Sequence, residues 1–282
     1  MSSLIDIDAW LEGGTYILLY FIVIFLAKWV KGFFSQFNLD EELTLKDNYA
    51  VAVSVTGYFV GITFVYIGAL DGPSYDFGMD VLLVSSYSIA GIVLLNLTRL
   101  VNDKLILYKF SPVKEILHDQ NPGTGAVEGG LYIASGLIIA GAIHGEGGSP
   151  LTAMVFFLIG QICLIIFSFL YTWLTPFDVH DEIEQDNIAA GLGFSGGMIA
   201  IGIIIMKAIS GDFVGWGPDL SRLGIDIAIV FVYLFGVKLI FDRFILRHSN
   251  MITEIVSDRN IGVGLLEMFI SICFSAVLAY LV

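Results

Sequence analysis

The sequence predicts an all-α polytopic membrane protein, with eight transmembrane helices arranged as two parallel four-helix repeats. Three observations support this prediction. Apolar residues make up 57% of the chain and charged residues only 14%, well below the roughly 25% charged residues of soluble domains. The apolar residues fall in runs close to the ~20 residues that a helix needs to cross a bilayer. The chain also matches itself at a fixed offset.

The apolar runs define the predicted spans. Their length and continuity favour helices over barrel strands, because backbone groups cannot stay unpaired in lipid. They fill most of the chain, so no separate soluble domain is expected. The net charge of −14 is confined to short loops and helix ends and gives no indication of nucleic-acid binding. The eight runs lie at about 15–33, 49–70, 79–100, 124–143, 151–174, 188–209, 222–243 and 262–281.

Sequence identities in the loops and at the helix ends indicate an internal duplication. From Asp47 onward the chain matches itself at an offset of 139 residues, so that Asp47-Asn48 meets Asp186-Asn187. One residue is inserted upstream, which makes the offset 140 there. We therefore predict repeats at 1–146 and 147–282. Each holds four spans, so both enter the membrane the same way up, related by an axis along the membrane normal.

Local signals predict helix caps, close contacts and an interfacial anchor. Asp47-Asn48 precedes the second span and is typical of an N-cap. That span carries Gly57-x-x-x-Gly61, and small residues four apart let helices approach closely in lipid. Its counterpart carries the same spacing at Ala189, Gly193 and Gly197. Lys28 to Lys31, at the end of the first span, is expected to snorkel to the interface.

The basic residues predict the orientation, because Lys and Arg gather in cytoplasmic loops. The connections on one side hold only Lys207 and Arg222. Both termini are therefore predicted to lie on that side, outside the cytoplasm. The connection at 175–187 is an exception on the basic side, since it has neither Lys nor Arg. The basic residues of the predicted cytoplasmic connections are Lys28, Lys31, Lys46, Arg99, Lys104, Lys109, Lys114, Lys238, Arg243, Arg247 and Arg259.

Two stretches share the pattern E-I-x-x-D-x-N-x-G-x-G-x-x-E without a gap, at 115–128 and 254–267. An apolar run continues from each, so Glu128 and Glu267 lie about two turns inside a predicted span. An ionisable side chain at the centre of a span costs about 2.5–3.5 kcal/mol by insertion scales. One interpretation is cation or proton binding in a pathway between the repeats. The other is a Glu near a helix N-terminus, stabilised by the dipole and by a neighbouring Lys or Arg.

The same motif supplies further candidate ion-binding residues, namely Asp119, Asn121, Asp258 and Asn260. The alternative for these is structural, because one residue of each pair is expected to cap the helix that follows. A cytoplasmic acidic vestibule is a related hypothesis. If the four junctions converge, their acids would concentrate cations; otherwise they are solvated loop charges. The vestibule residues would be Glu42, Asp47, Glu182 and Asp186.

No cofactor, metal site or catalytic residue is predicted. The histidines show no metal-ligand spacing, and the two cysteines fall inside apolar spans, where buried small hydrophobes are expected. No nucleophile–base pair can be assembled, which makes an intramembrane enzyme the weakest functional class. These residues are His118, His144, His180, His248, Cys163 and Cys273.

The segment Trp173–Gly191 contains Thr175-Pro176-Phe177-Asp178, and resembles the signature of domain-of-unknown-function family 350. That family has a four-helix unit with a TP[FY]D…E…xNxAxA junction and a later xNxxxGxxE junction. The resemblance implies a bacterial inner-membrane location and a tandem duplication of the four-span unit. It implies no activity or substrate. The first repeat departs from the pattern, with Ser35-Gln36-Phe37-Asn38 at the corresponding place.

Two functions remain open at this point. The first is a channel or transporter for protons or small cations that uses Glu128 and Glu267. The second is a membrane anchor or scaffold whose partner docks on the acidic cytoplasmic junctions. The expected partners are therefore the lipid bilayer, a small cation or proton, and a protein partner or a second copy of the chain.

Overall fold

The structure is a computed structural model that describes residues 7–35, 37–240 and 250–281. Within these residues the regular elements are helical, which confirms the predicted all-α fold. The helices are α1 Ile7–Phe34, α2 Leu39–Thr44, α3 Tyr49–Leu70, α4 Phe77–Leu105, α5 Pro112–Leu117, α6 Pro122–Ile143, α7 Pro150–Leu174, α8 Val179–Glu184, α9 Ile188–Ile209, α10 Trp216–Ile240, the π-helical turn π1 Ile252–Ser257, and α11 Ile261–Leu281.

The described part of the chain holds seven helices that are long and apolar enough to cross a membrane. They are α3, α4, α6, α7, α9, α11 and the Trp10–Phe34 part of α1. The remaining predicted span, at 222–243, falls partly on α10 and partly on residues outside the described ranges. The count of eight spans and the orientation of the termini therefore stay predictions.

Four junctions in the chain share one backbone design. Each ends a short helical segment, passes through one residue with φ between 48° and 60°, and begins a long helix at an Asn N-cap. The Asn Oδ1 accepts backbone N–H groups of the first turn, as the cap prediction requires. The left-handed residues are Asp47, Gln120, Asp186 and Arg259, and the caps are Asn48, Asn121, Asn187 and Asn260. We call the side where these helices begin the junction side.

The helices that follow the junctions, α3, α6, α9 and α11, form a row of four parallel helices. Neighbours in the row meet at small residues, where a Cβ atom added to the glycine would overlap the facing backbone. This is the close approach that small residues permit in lipid, and it confirms the packing predicted from Gly57. The contacts, from α3 to α11, include Gly57–Gly129, Ala134–Gly202 and Ala189–Gly264.

The middle and the ends of this row differ in burial. Most residues of α6 and α9 are buried, whereas α11 buries a minority of its residues. The helices α1, α4, α7 and α10 pack around the row. Cys163 on α7 is buried as expected, but Cys273 on α11 is exposed, so the expectation of two buried cysteines is wrong for Cys273. The reason is its position on the outer face of the last helix in the row.

Candidate functional site

Glu128 lies in the second turn of α6, buried between α3 and α4, and is 4% exposed. Ser54 of α3 donates a hydrogen bond to its Oε2. Arg99 of α4 donates from Nε to its Oε1 over 2.7 Å. The carboxylate charge is therefore neutralised inside the first repeat, as the cost of an isolated buried charge requires. This geometry favours the structural interpretation, with Arg99 as the basic neighbour.

A second acid and a second cation complete a buried charged cluster. Arg99 Nε also lies 3.5 Å from Oδ2 of Asp103, one turn along α4. Lys31 of α1 donates to the hydroxyl of Tyr132, and its Nζ lies 4.3 Å from the centre of that ring. Lys31 is 2% exposed, so the expectation that it snorkels to the interface is wrong. With Glu128, the cluster holds two basic and two acidic groups.

A neutral polar trio joins α4 and α6 to α7. Gln161 Nε2 of α7 donates to Asn102 Oδ1 of α4 over 2.7 Å. Ser135 of α6 lies within 3.4 Å of the amide groups of both residues. The trio therefore links the first helix of the second repeat to α4 and α6 of the first. Sequence analysis missed it, because one polar residue in each of three spans carries no spacing pattern.

Glu267 occupies the corresponding place in the second repeat and is 5% exposed. The hydroxyl of Tyr171 on α7 donates to its Oε1 over 3.0 Å. The carboxylate lies so close to Gly193 of α9 that an added Cβ atom would collide with it. By the repeat offsets, Tyr171 and Gly193 correspond to Lys31 and Ser54.

The residues that correspond to Arg99 and Asp103 are Lys238 and Asp242. The side chain of Lys238 and the whole of Asp242 lie outside the part of the chain that the structure describes. Three of the four charges of the cluster are thus duplicated in the sequence, with Tyr171 in place of Lys31, and the geometry of the whole cluster is described for the first repeat.

The two carboxylates lie in separate environments. Glu128 is bonded to α3 and α4 of the first repeat, whereas Glu267 is bonded to α7 of the second. Between them, α6 and α9 meet backbone to backbone, as at Gly123 and Gly191. A shared hydrated pathway between the repeats is therefore not what the structure shows. Ion binding by Glu128, Glu267 or the neighbouring motif residues stays a prediction.

The four cap asparagines also brace the junctions, and we call this set the asparagine ladder. In each junction the Asn Nδ2 donates to a Glu carboxylate five or six residues earlier, over 2.8–3.2 Å. In three junctions the same amide also donates to a backbone carbonyl of the next junction along the row. These bonds are Asn48 to Ile116 O at 2.9 Å, Asn121 to Ile183 O at 2.7 Å, and Asn187 to Ile255 O at 2.7 Å.

The acids predicted to form a vestibule divide into two kinds. Glu42 and Glu182 accept from the ladder asparagines, so they act as internal braces. Asp47 and Asp186 are exposed at the left-handed positions. The junctions lie side by side along the row, an arrangement that favours the alternative of separate loop charges. Of the remaining motif acids, Asp119 and Asp258 are exposed.

Two of the bracing carboxylates show how local partners set acidity on the junction side. Burial works to raise the pKa of Glu42, but hydrogen bonds from Lys46 and Asn48 outweigh it and lower the pKa. Burial raises the pKa of Glu115, and the hydrogen bond from Asn121 only partly offsets this. The difference follows from Lys46, whose Nζ lies 2.7 Å from Glu42 Oε1.

The described residues offer little room for a ligand near the buried acids. A cavity of about 10 Å³ lies beside Glu128, Lys31 and Arg99, and Ile116 and Leu117 of α5 line it toward the junction side. That volume is close to what one water molecule needs. Within the described ranges, no group of three or more His, Cys, Asp or Glu side chains could hold a metal ion.

Comparison with known families identifies the fold unit. The model of the family "Domain of Unknown Function (DUF350)" matches residues 5–143 and again residues 147–282. The chain belongs to this family. The two matches confirm a tandem duplication within a DUF350 protein, and the family assignment agrees with the junction motifs described above.

Of two relatives, one is about as long as this chain and the other about half as long. A UPF0719 transmembrane protein of Aquifex aeolicus is 24% identical over 208 residues, which cover 72% of this chain and 74% of that protein. The UPF0719 inner membrane protein YjfL of Escherichia coli K12 is 32% identical over 96 residues, which cover 32% of this chain and 68% of that protein. YjfL is therefore about half as long as this chain. No solved structure matches the chain. This DUF350 protein is an integral membrane protein.

Proposed function

We propose that this DUF350 protein is a membrane-embedded scaffold that presents its junction side to a partner protein. The observation that carries the proposal is the pairing of Glu128 with Arg99 and Ser54, deep between helices. An acid paired in this way ties the packed helices to one another, because loss of either partner would leave an uncompensated buried charge. The backbone-to-backbone contact of α6 with α9 supports this proposal over a hydrated cation route where these two helices meet.

The junction side supplies the surface for a partner. Its bracing glutamates point inward, while other acids stay exposed to solvent. Some of these are paired, as Asp40 is with Lys28 at 2.7 Å and Asp119 with Lys114 at 3.2 Å. Asp181, Glu184 and Asp186 are exposed around one short helix, α8, and Asp181 pairs with Lys109 at 3.1 Å. A partner with a basic segment has the complementary charge for this surface.

Measuring ion flux through the purified protein distinguishes the scaffold proposal from ion conduction. The protein is reconstituted in liposomes that enclose a dye for H⁺, Na⁺ or K⁺, and a gradient of the corresponding ion is imposed. The scaffold proposal expects fluxes equal to those of empty liposomes. A flux that the Glu128→Gln and Glu267→Gln double variant abolishes would overturn the proposal in favour of conduction.

Docking is tested with matched neutralisations on the two sides of the bundle. Asp181→Asn, Glu184→Gln and Asp186→Asn remove three exposed acids on the junction side, one of them paired with Lys109, and leave the bracing glutamates intact. Asn tolerates the left-handed conformation at position 186. Asp71→Asn with Glu146→Gln removes exposed acids on the opposite side. Cross-linking in cells should lose partner adducts with the first set and keep them with the second; equal loss or equal retention contradicts docking at α8.

Proton transfer inside the first repeat is a second candidate function. The observation that favours it is the cluster of Lys31, Arg99, Asp103 and Glu128 beside a cavity with room for about one water. Ionisable groups at membrane depth are frequent members of proton relays. In the same liposomes, a proton flux lost on Glu128→Gln and retained on Glu267→Gln would support this candidate. Absence of proton flux in the wild-type protein would exclude it.

A further inference from the structure

We propose that copies of this chain assemble head to tail, with the outer face of α11 in one copy against the outer face of α3 in the next. This inference goes beyond the scaffold proposal and is independent of it. It rests on the asparagine ladder, whose two ends are left open and complementary within one chain, and on the interface that already joins the two repeats.

The donor end of the ladder is Asn260. In the first three junctions the Asn is at most 1% exposed, and its amide donates a hydrogen bond to a backbone carbonyl of the next junction. Asn260 has the same cap and the same bond to its own Glu, Glu254 at 2.8 Å, yet it is exposed. Among the described residues, no further junction lies beside it to accept from its amide.

The acceptor end is the backbone carbonyl of Leu43. The three carbonyls that accept from the ladder belong to Ile116, Ile183 and Ile255, each directly after the bracing Glu. Leu43 follows Glu42 in the same way and aligns with Ile183. Among the residues that the structure describes, no side chain donates to the carbonyl of Leu43. Asn260 of one copy and Leu43 of the next would extend the ladder by one identical step.

The helix faces beside these two ends hold the same repeat positions as the faces that join α6 to α9. That interface places Gly130 of α6 against Ser195 of α9. Their repeat counterparts are Phe269 on α11, which is 56% exposed, and Thr56 on α3, which is also exposed. Lipid can cover apolar faces, so their exposure alone decides nothing. The polar ladder ends at the same edges are what identify a second copy as the occupant.

The distance between α11 of one copy and α3 of the next would be larger than the distance between α6 and α9 inside one chain. Phe269 replaces Gly130, and Tyr280 replaces Gly141, so bulky rings stand where backbones touch between α6 and α9. Gly262 retains the place of Gly123 near the junction side. We therefore expect the two helices to lie close at the junction side and to diverge toward the opposite side.

Chain length in the family is compatible with this geometry. YjfL is about half as long as this chain, which is the length of one repeat. A protein with a single repeat can form the α6–α9 type of interface only between two chains. Such an interface joins two different surfaces, so it is heterologous, and its repetition closes a ring or extends a filament.

Disulfide cross-linking in native membranes tests the arrangement. Two differently tagged chains, both carrying Cys273→Ala, are co-expressed, one with Thr56→Cys and the other with Phe269→Cys. Oxidation should link the two tags in the mixture, while each variant expressed alone should stay unlinked. Both changed residues are exposed, so folding should be retained. The matched control pairs Thr56→Cys with Ile166→Cys, an exposed residue of α7 at a similar depth.

Several results would overturn the arrangement. These are cross-linking between positions 56 and 269 no greater than the control, or linkage of either single variant to itself, which a two-fold interface would give. The ladder is tested separately with Asn260→Asp, which keeps the cap acceptor and removes the amide donor. The cross-linked fraction should fall about fivefold. The Glu254→Gln control keeps the donor and should leave the fraction unchanged; equal fractions in the two variants contradict a continued ladder.

Discussion

The two repeats hold the same buried carboxylate with different partners. In the first repeat Glu128 accepts from Ser54 and Arg99. In the second repeat Glu267 accepts from Tyr171, and a glycine stands in place of the serine. The backbone of the junction, the cap and the acid have been kept after duplication, while the side chains around the acid have diverged.

The divergence is compensated in volume as well as in hydrogen bonding. In the first repeat α1 supplies Lys31 and α3 supplies Tyr58, and the ammonium lies 5.3 Å from the centre of that ring. In the second repeat α7 supplies Tyr171, whose ring lies against Gly197, the counterpart of Tyr58. An aromatic ring thus fills the site in both repeats, but it comes from a different helix. The lesson is that the acid is the fixed element and its donors are exchangeable.

The largest expected effect comes from removing the cation of the first site. Arg99→Met leaves Glu128 buried without its ion-pair partner, and breaking such pairs costs about 3–5 kcal/mol. Unfolding of the purified protein by a denaturing detergent would measure this loss. Arg99→Met combined with Glu128→Leu should recover much of the stability, because it removes one basic and one acidic group together and leaves the cluster with Lys31 and Asp103. Wild-type stability of the single variant would contradict the neutralised-pair account.

A smaller effect is expected from the ladder, where removing an asparagine should cost more stability in the middle of the ladder than at its end. Asn121→Ala removes the cap of α6 and the buried bond to Ile183, a loss of about 2 kcal/mol. Asn260→Ala removes an equivalent cap on α11 but no bond to a further junction, a loss of about 1 kcal/mol in monomeric detergent samples. The same unfolding assay measures both. Equal losses would mean that the cross-junction bonds contribute nothing.

The two hydroxyl donors provide a matched pair across the repeats. Ser54→Ala and Tyr171→Phe each remove one hydrogen bond to a carboxylate, which contributes about 1.5 kcal/mol. Similar losses in the unfolding assay would show that the repeats depend equally on their donors. A loss only for Ser54→Ala would mean that Glu267 relies on other contacts.

The smallest expected effect lies at the solvent-exposed contact between the repeats. Partial burial works to raise the pKa of Asp178, but Lys109 and a backbone amide outweigh it and lower the pKa. A lowered pKa means that the pair stabilises the fold above the unfolded pKa of about 3.9 and loses this as pH falls through the folded value. Lys109→Met should therefore cost up to about 1 kcal/mol at pH 6. The gap from wild type should narrow as the pH falls below about 3.9; a gap independent of pH contradicts the pairing.

Much of the fold was predictable, because it follows from local patterns. Asn48 and Asn121 precede apolar runs and cap helices, and Gly57 marks a close helix contact. The partners of the buried acids were not predictable. Lys31 lies 97 residues before Glu128 in the chain and was assigned to the interface, because a Lys at the end of a span usually snorkels. Only the packing of α1 against α3 and α4, with Lys31 bonded to Tyr132 of α6, shows that it turns inward.

The ladder illustrates the same limit in another way. Sequence analysis predicted that an Asp or Asn of each junction would cap the helix that follows, which is a contact within four residues. It could not predict that the opposite end of the same side chain reaches a carbonyl 62 to 68 residues away. That contact depends on which helices become neighbours, and the order α3, α6, α9, α11 is a property of the tertiary packing.

The central claim is that each buried glutamate belongs to its own repeat. A double-mutant cycle with Glu128→Gln, Glu267→Gln and the double variant tests it directly, with stability read from detergent unfolding. Independent sites predict additive losses to within about 0.5 kcal/mol. A coupling energy of about 1 kcal/mol or more would show that the two carboxylates share one environment, and it would contradict the account.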